Sequence, residues 1–200
     1  VGSEMCIRDR ADVAVVGRFA GDRALAAVGS CVALVGIFVN LIVGFSVGPN
    51  AVLANLIGQK RRDKINRMLH TIMAFGLIAG VILMGLGMLS AKPILEVSGT
   101  PESVMNEALL YIRIYFIGIP FMMIYNFGSA VLRSFGDTRR PMYYLILSGT
   151  VNVILNLILV IYFKLGVAGV AIATVISNIL SAGLVLIYLY RREDEFQFRP

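Results

Sequence analysis

Long apolar runs separated by short polar segments make up most of this sequence. No charged residue occurs in the 36 positions from 24 to 59. An α-helix of about 20 apolar residues is enough to cross a hydrocarbon core of about 30 Å. The pattern therefore predicts five complete membrane-spanning helices, with the end of a sixth at 11–16; the five cover 24–59, 68–91, 108–132, 141–163 and 165–190.

Prolines and glycines indicate where these helices bend, end or pack closely. Pro49 is the expected bend in the first long span, and Pro120 interrupts the third. Pro93 is expected to end the second span, and Thr100 to cap the third. Small residues allow close approach between helices in lipid, and the second span carries four glycines for this purpose: Gly76, Gly80, Gly85 and Gly87.

The composition agrees with a membrane location. Apolar residue types make up 58% of the chain and charged types 15%, and the mean hydropathy is +0.83. Soluble domains are about 45–50% apolar and about 25% charged, and a fold of this size cannot bury so large a surplus. Together with short connecting loops, this predicts an all-α integral membrane protein built as an antiparallel bundle. It excludes disulfide scaffolds, disordered chains and nucleic-acid modules, so membrane lipid is a partner and nucleic acid is not.

Basic residues are distributed unevenly between the two ends of the predicted spans. Since positive residues mark cytoplasmic loops, the side with more of them is predicted to be cytoplasmic, in a multi-pass protein of the plasma (inner) membrane. One side has four, Arg18, Arg23, Lys92 and Lys164. The other has eleven: Lys60, Arg61, Arg62, Lys64, Arg67, Arg133, Arg139, Arg140, Arg191, Arg192 and Arg199.

Amide and hydroxyl side chains inside the predicted spans are candidate functional groups, because a polar group in lipid needs a partner. Asn152 and Asn156 lie one turn apart on one face of the fourth span. Two interpretations remain open: the pair bonds a neighbouring helix, or it lines a polar cavity and offers oxygens to a cation or substrate. Thr174 and Asn178 have the same spacing in the fifth span, and Asn126 lies six residues after Pro120.

Asp12 is the only acid expected within the hydrophobic layer. An ionised carboxylate there is costly, so it pairs, binds a cation or takes a proton. Asp12 is therefore either an ion-coupling group or a cap beside Arg18, and the sequence does not choose between these.

Motifs for nucleotide hydrolysis, metal-dependent hydrolysis and nucleophilic catalysis are absent from the sequence. We therefore expect no enzyme activity and no cofactor. Secondary transport coupled to an ion through polar groups in the membrane is the class that remains.

Several segments, in order, resemble the multidrug and toxic compound extrusion family. The resemblance covers residues 11 to about 192. It rests on DVAVVGR at 12–18, ALAAVG at 24–29, GIP at 118–120, LRSFGDTRRP at 132–141, NVILN at 152–156 and GVAGVAIATVIS at 166–177.

This resemblance implies one lobe of a twelve-helix antiporter, which exchanges sodium ions or protons for cationic or amphipathic small molecules. The chain would be the N-terminal lobe (11–192), with the C-terminal lobe of the same protein as its missing partner and 193–200 as the start of the cytoplasmic linker between lobes. Residues 1–10 resemble translated adapter DNA and are predicted to be non-native.

The resemblance also implies site residues. Asp12 matches an acid that is central to coupling. Three further residues match positions that line a cation site: Asn152, Asn156 and Thr174. Together with Asp12, they imply a sodium site. Some members have an acid at the position of Asn156, so the asparagine leaves the choice between sodium and proton open. Cavity-lining roles for Asn126, Pro120 and Asn178 are weaker expectations.

Two other functions remain as alternatives. A lipid-linked saccharide flippase of the same superfamily would favour a cleft rich in basic residues, and only Arg113 lies within a span. A non-transporting membrane subunit is the other alternative. The substrate, the oligomeric state and independent folding of the chain are not fixed by the sequence.

Overall fold

The computed structural model describes residues 13–59 and 62–191. Within these ranges the chain forms helices and no strand, which confirms the all-α prediction. A 3-10 turn (Glu102–Val104) precedes the fourth helix and a π-helical turn (Ile158–Tyr162) extends the sixth. The helices are α1 (13–19), α2 (Asp22–Gly58), α3 (Arg62–Val97), α4 (Met105–Ile117), α5 (Ile119–Ser134), α6 (Arg139–Leu157) and α7 (Gly166–Arg191).

Five membrane spans occur among the described residues when α4 and α5 are taken as one. Helices α2, α3, α6 and α7 are each long and apolar enough to cross a bilayer, and α4 with its preceding turn meets α5 at an angle of 43°. The predicted third span is therefore a broken one. The break lies at Gly118, and Pro120 lies in the first turn of α5, where its missing N–H costs no helical hydrogen bond.

The predictions made at Pro93 and Thr100 were wrong. Helix α3 continues through Pro93 and ends at Val97, because a proline this close to a helix end disturbs few hydrogen bonds. The 3-10 turn before α4 has Pro101 at its N-cap and no side-chain capping bond. Thr100 Oγ1 is buried and has no hydrogen-bond partner among the described residues.

Helix α2 also continues through a proline. Pro49 lies inside its 37 residues, and no interruption of the helix occurs there. The Ser134 hydroxyl, at the end of α5, donates to the Asn50 carbonyl over 3.3 Å. This contact ties the segment after Pro49 to the neighbouring helix.

Helix α5 is the centre of the bundle, and α2, α3 and α7 all pack against it. An ideal Cβ added to Gly80 of α3 would lie 2.7 Å from Pro120 Cα, and one added to Gly87 would lie 2.8 Å from the Phe116 ring. These glycines allow α3 to approach the broken span closely. Gly76 adds a similar contact to the Phe127 ring, whereas nothing lies within 4 Å of the corresponding position at Gly85, so the prediction of close packing at Gly85 was wrong.

A tight turn joins α6 to α7. The chain leaves the π-helical turn at Tyr162 and re-enters a helix at Gly166. Lys164 and Gly166 have positive φ angles of 52° and 53°, which reverse the chain direction within a few residues. Helices α6 and α7 are therefore antiparallel neighbours, as the short loop predicts.

Candidate functional site

A chain of buried polar side chains joins α6 to α7. Asn156 Nδ2 donates to Asn152 Oδ1 over 3.3 Å, and Asn152 Nδ2 donates to Thr174 Oγ1 over 3.3 Å. Both asparagines are fully buried, and Thr174 is 3% exposed. We call Asn152, Asn156 and Thr174 the polar ladder.

The local sequence explains how the ladder forms. A spacing of four residues places both asparagines on one face of α6, and the tight turn at 163–165 places α7 directly beside that face. The Thr174 hydroxyl donates to the Val170 carbonyl of its own helix over 3.0 Å. Its oxygen therefore accepts the hydrogen bond from Asn152 and acts as the acceptor that links the two helices.

The ladder offers only neutral donors and acceptors. Amide and hydroxyl oxygens suit hard cations, which bind oxygen ligands. Within 13–59 and 62–191, no group of three His, Cys, Asp or Glu side chains is placed to hold a metal ion. A cation at the ladder would therefore be held by neutral oxygens unless an acid from outside these ranges contributes.

Asp12, the predicted coupling acid, lies outside the described residues. The helix that follows it is described, and Val15 and Val16 are buried in the core. Helix α1 therefore packs against the bundle immediately after the position of this acid.

The weaker candidates lie in two different places. Asn178 packs against the α4–α5 break, since an ideal Cβ on Gly118 would lie 3.1 Å from Asn178 Nδ2. Pro120 lies at the same break, beneath Gly80 of α3. Asn126 is buried in α5, and its Nδ2 donates to the Met122 carbonyl one turn earlier, over 2.8 Å.

Two features near these residues were not predicted from the sequence. The π-helical turn Ile158–Tyr162 begins two residues after Asn156, and π-helical turns often occur beside functional sites. The Ser129 hydroxyl of α5 is buried without a hydrogen-bond partner among the described residues. No sequence signal marks the π-helical turn, whereas a serine within an apolar run does indicate a buried hydroxyl.

Comparisons with known proteins agree with this architecture. The family model MatE matches residues 5–158. The chain is 34% identical over 187 residues to the probable multidrug resistance protein YoeA of Bacillus subtilis (strain 168), covering 92% of this chain and 40% of that protein. It is 33% identical over 176 residues to the probable multidrug resistance protein YpnP of the same strain, covering 86% and 38%.

A solved structure has the same fold as this chain. The crystal structure of a MATE protein in the bent conformation superposes on 99% of this chain with a TM-score of 0.93 at 24% sequence identity. The match covers 44% of that longer chain. This chain therefore spans well under half the length of the relatives and of the structure that it matches.

Proposed function

We propose that this chain, which belongs to the MatE family, forms one lobe of a secondary antiporter. The antiporter exports cationic or amphipathic small molecules in exchange for sodium ions or protons. The observation that carries this proposal is the polar ladder, a set of fully buried amides and a hydroxyl between two membrane helices. The relatives YoeA and YpnP are named probable multidrug resistance proteins, which supports the export of small molecules.

In this proposal Asp12 supplies the charge and the ladder supplies neutral oxygens. The carboxylate takes up a sodium ion or a proton. Asn152, Asn156 and Thr174 lower the cost of a charge in the membrane, because their dipoles replace part of its hydration shell. An asparagine at 156 gives an oxygen ligand but no second titratable group, so the coupled charge rests on Asp12.

The α4–α5 break is the element that we propose responds to the ion. Gly118 and Pro120 leave this span without a continuous helical hydrogen-bond pattern. Asn178 packs against the break from α7, the helix that also carries Thr174. A change at the ladder therefore reaches the break along one helix, and repacking there would weaken the hold on an exported molecule.

The proposed orientation follows from the basic residues. The end of the bundle with Lys64, Arg67, Arg139, Arg140 and Arg191 faces the cytoplasm of a multi-pass inner-membrane protein. The exported molecule binds in a cleft between this lobe and a second lobe, and alternating access arises as the lobes rock.

The experiment is an efflux assay on the transporter that contains this lobe, in cells without competing pumps, with sodium and pH gradients imposed separately. Asp12→Asn removes the coupled charge while keeping the side chain's shape, so efflux should fall to background at normal membrane expression. The double variant Asn152→Leu, Asn156→Leu should weaken the dependence on the ion gradient more than it lowers expression.

Thr150→Val is the matched control. Thr150 is an exposed residue of α6, and its hydroxyl donates to Ile146 of the same helix. This variant should leave efflux and its ion dependence unchanged. Efflux retained by Asp12→Asn removes that acid from the mechanism, and a double variant that loses only expression assigns the ladder to packing.

A further inference from the structure

A cavity of about 490 Å³ lies between α2 and α3 near the end of the bundle rich in basic residues. Its lining combines two cationic side chains with two apolar ones and a hydroxyl: Lys64, Arg67, Leu56, Met68 and Thr71. We propose that this cavity binds the headgroup of an anionic phospholipid, whose acyl chain lies along α3.

The first support is the exposure and the charge of the two basic side chains that line the cavity. Lys64 and Arg67 are exposed, and no carboxylate lies within ion-pair distance of either among the side chains that the structure describes, which do not include those of residues 60–63 and 66. In contrast, Arg140 at the same end of the bundle is paired with Asp137 over 2.9 Å and packs on the Tyr188 ring. Two exposed cations one helical turn apart, both lining one cavity, favour an external anion.

The hydroxyl in the lining does not compete for that role. Thr71 Oγ1 donates to the Arg67 carbonyl over 2.9 Å, so its proton is already used. The headgroup phosphate would therefore be bound by Lys64 and Arg67, with Leu56 and Met68 beneath it.

The second support is an exposed apolar stripe that continues from the cavity along α3. Its members follow Arg67 and Thr71 at steps of three and four residues, so they share one face of the helix. All are exposed in the bundle, and they are Phe75, Ile78, Ile82, Leu86 and Leu89. From Thr71 to Leu89 the helix rises about 27 Å, close to a whole hydrocarbon core of about 30 Å, so the part of the stripe nearest the cavity, Phe75 to Ile82, lies at the depth of one leaflet.

This arrangement distinguishes a phospholipid from other anions. A free phosphate would use the two cations and leave the stripe unexplained. A diacyl lipid of one leaflet accounts for the charge at the cavity and for the part of the apolar face nearest to it. Because Lys64 and Arg67 belong to the side predicted to be cytoplasmic, the lipid lies in the inner leaflet, where anionic headgroups attract basic segments.

Native mass spectrometry of the full chain in detergent tests the proposal directly. The protein is titrated with dioleoyl phosphatidylglycerol and, separately, with dioleoyl phosphatidylcholine, and the first lipid-bound species is quantified. The chain should bind phosphatidylglycerol in preference to phosphatidylcholine. Lys64→Gln with Arg67→Gln should weaken phosphatidylglycerol binding about 30-fold, because each cation near an anionic headgroup strengthens binding about 5-fold. The same variant should leave phosphatidylcholine binding unchanged.

Two matched variants make the result specific. Arg139→Gln with Arg191→Gln removes the same charge from exposed residues at the same end of the bundle, outside the cavity, and should change phosphatidylglycerol binding less than about 3-fold. Lys64→Arg with Arg67→Lys exchanges the two cations and should keep the preference. Circular dichroism of every variant establishes that the helices are intact.

Each remaining outcome overturns the proposal. Equal loss in the Arg139 and Arg191 variant would mean that general surface charge binds the lipid. Equal competition by inorganic phosphate and by phosphatidylglycerol at the same concentration would mean a free-phosphate site. Equal binding of the two lipids by the unmodified chain would mean that the cavity does not select a headgroup.

Discussion

The α3–α5 contact and the α6–α7 contact hold neighbouring helices together in different ways. In the first, Gly80 brings the backbone of α3 against Pro120, with no room for a methyl group, and Gly87 makes a similar contact with Phe116 of α4. In the second, a carboxamide of α6 bonds a hydroxyl of α7. The α3–α5 contact is apolar and depends on shape, whereas the α6–α7 contact is polar and depends on hydrogen bonding.

This difference matters because lipid removes the usual driving force for helix association. Apolar side chains gain little by leaving lipid for a protein interior, so close van der Waals packing and hydrogen bonds between helices carry the association. A glycine contact is fixed by sterics and has one arrangement. A hydrogen-bonded contact has alternative partners, including an ion, so it is the contact suited to change during a transport cycle.

The largest expected effect comes from filling the glycine contact. Gly80→Ala places a methyl group 2.7 Å from Pro120 Cα, which is backbone and cannot rotate away. Overpacking of this kind costs about 2–3 kcal/mol. The chain has no tryptophan, so the free energy of unfolding is measured by circular dichroism of detergent-solubilised protein during denaturant titration.

Gly85→Ala is the matched control in the same helix. Nothing lies within 4 Å of the added methyl group, and alanine is the better helix former by about 0.5–1 kcal/mol. This variant should be neutral or slightly stabilised. Equal destabilisation at positions 80 and 85 would refute the steric account of the contact.

An intermediate effect is expected from the ladder. Asn152→Val removes the side chain that bonds both Asn156 and Thr174, and hydrogen bonds between membrane helices contribute about 0.6 kcal/mol each. We expect a loss of about 1 kcal/mol in the same unfolding assay. A double-mutant cycle with Thr174→Val should give a coupling energy of about 0.6 kcal/mol, and a coupling of zero would mean that the 3.3 Å contact contributes nothing.

The smallest effect is expected from a buried hydroxyl that bonds its own helix. Ser181 Oγ donates to the Asn178 carbonyl over 3.0 Å, within α7. Ser181→Ala should therefore change the free energy of unfolding by less than about 0.5 kcal/mol. If it destabilises as much as Asn152→Val, then burial of a polar atom matters more than the link between helices.

The sequence predicted the helices and the shared face of Asn152 and Asn156, because both depend on local patterns, whereas the link to Thr174 came only from the family resemblance. A spacing of four put Asn152 and Asn156 on one face, and the three-residue connection at Lys164 made α7 the neighbour of that face. Glycine spacing in α3 likewise indicated a close contact. The sequence did not indicate which glycines meet another helix, since Gly80 and Gly85 differ only in the direction they face.

The features that were missed depend on tertiary context. Proline stops a helix only where its lost hydrogen bond and its ring are not accommodated, and at Pro93 the helix continues. The interruption of the third span was predicted from Pro120, and the structure places it two residues earlier, at Gly118. The π-helical turn at Ile158–Tyr162 changes the helical repeat without any residue type that marks it. The role of Asp12 stays a prediction, because that residue lies outside the described ranges.

The length of α2 has a consequence for bilayer thickness. Its 37 residues extend about 55 Å, far more than a hydrocarbon core of about 30 Å. Positions 24–59 carry no charge that would fix the depth of the helix against the headgroups. A span longer than the hydrocarbon core tilts, so thinner and thicker membranes would be accommodated by a change in the tilt of this helix rather than by moving its apolar residues into water.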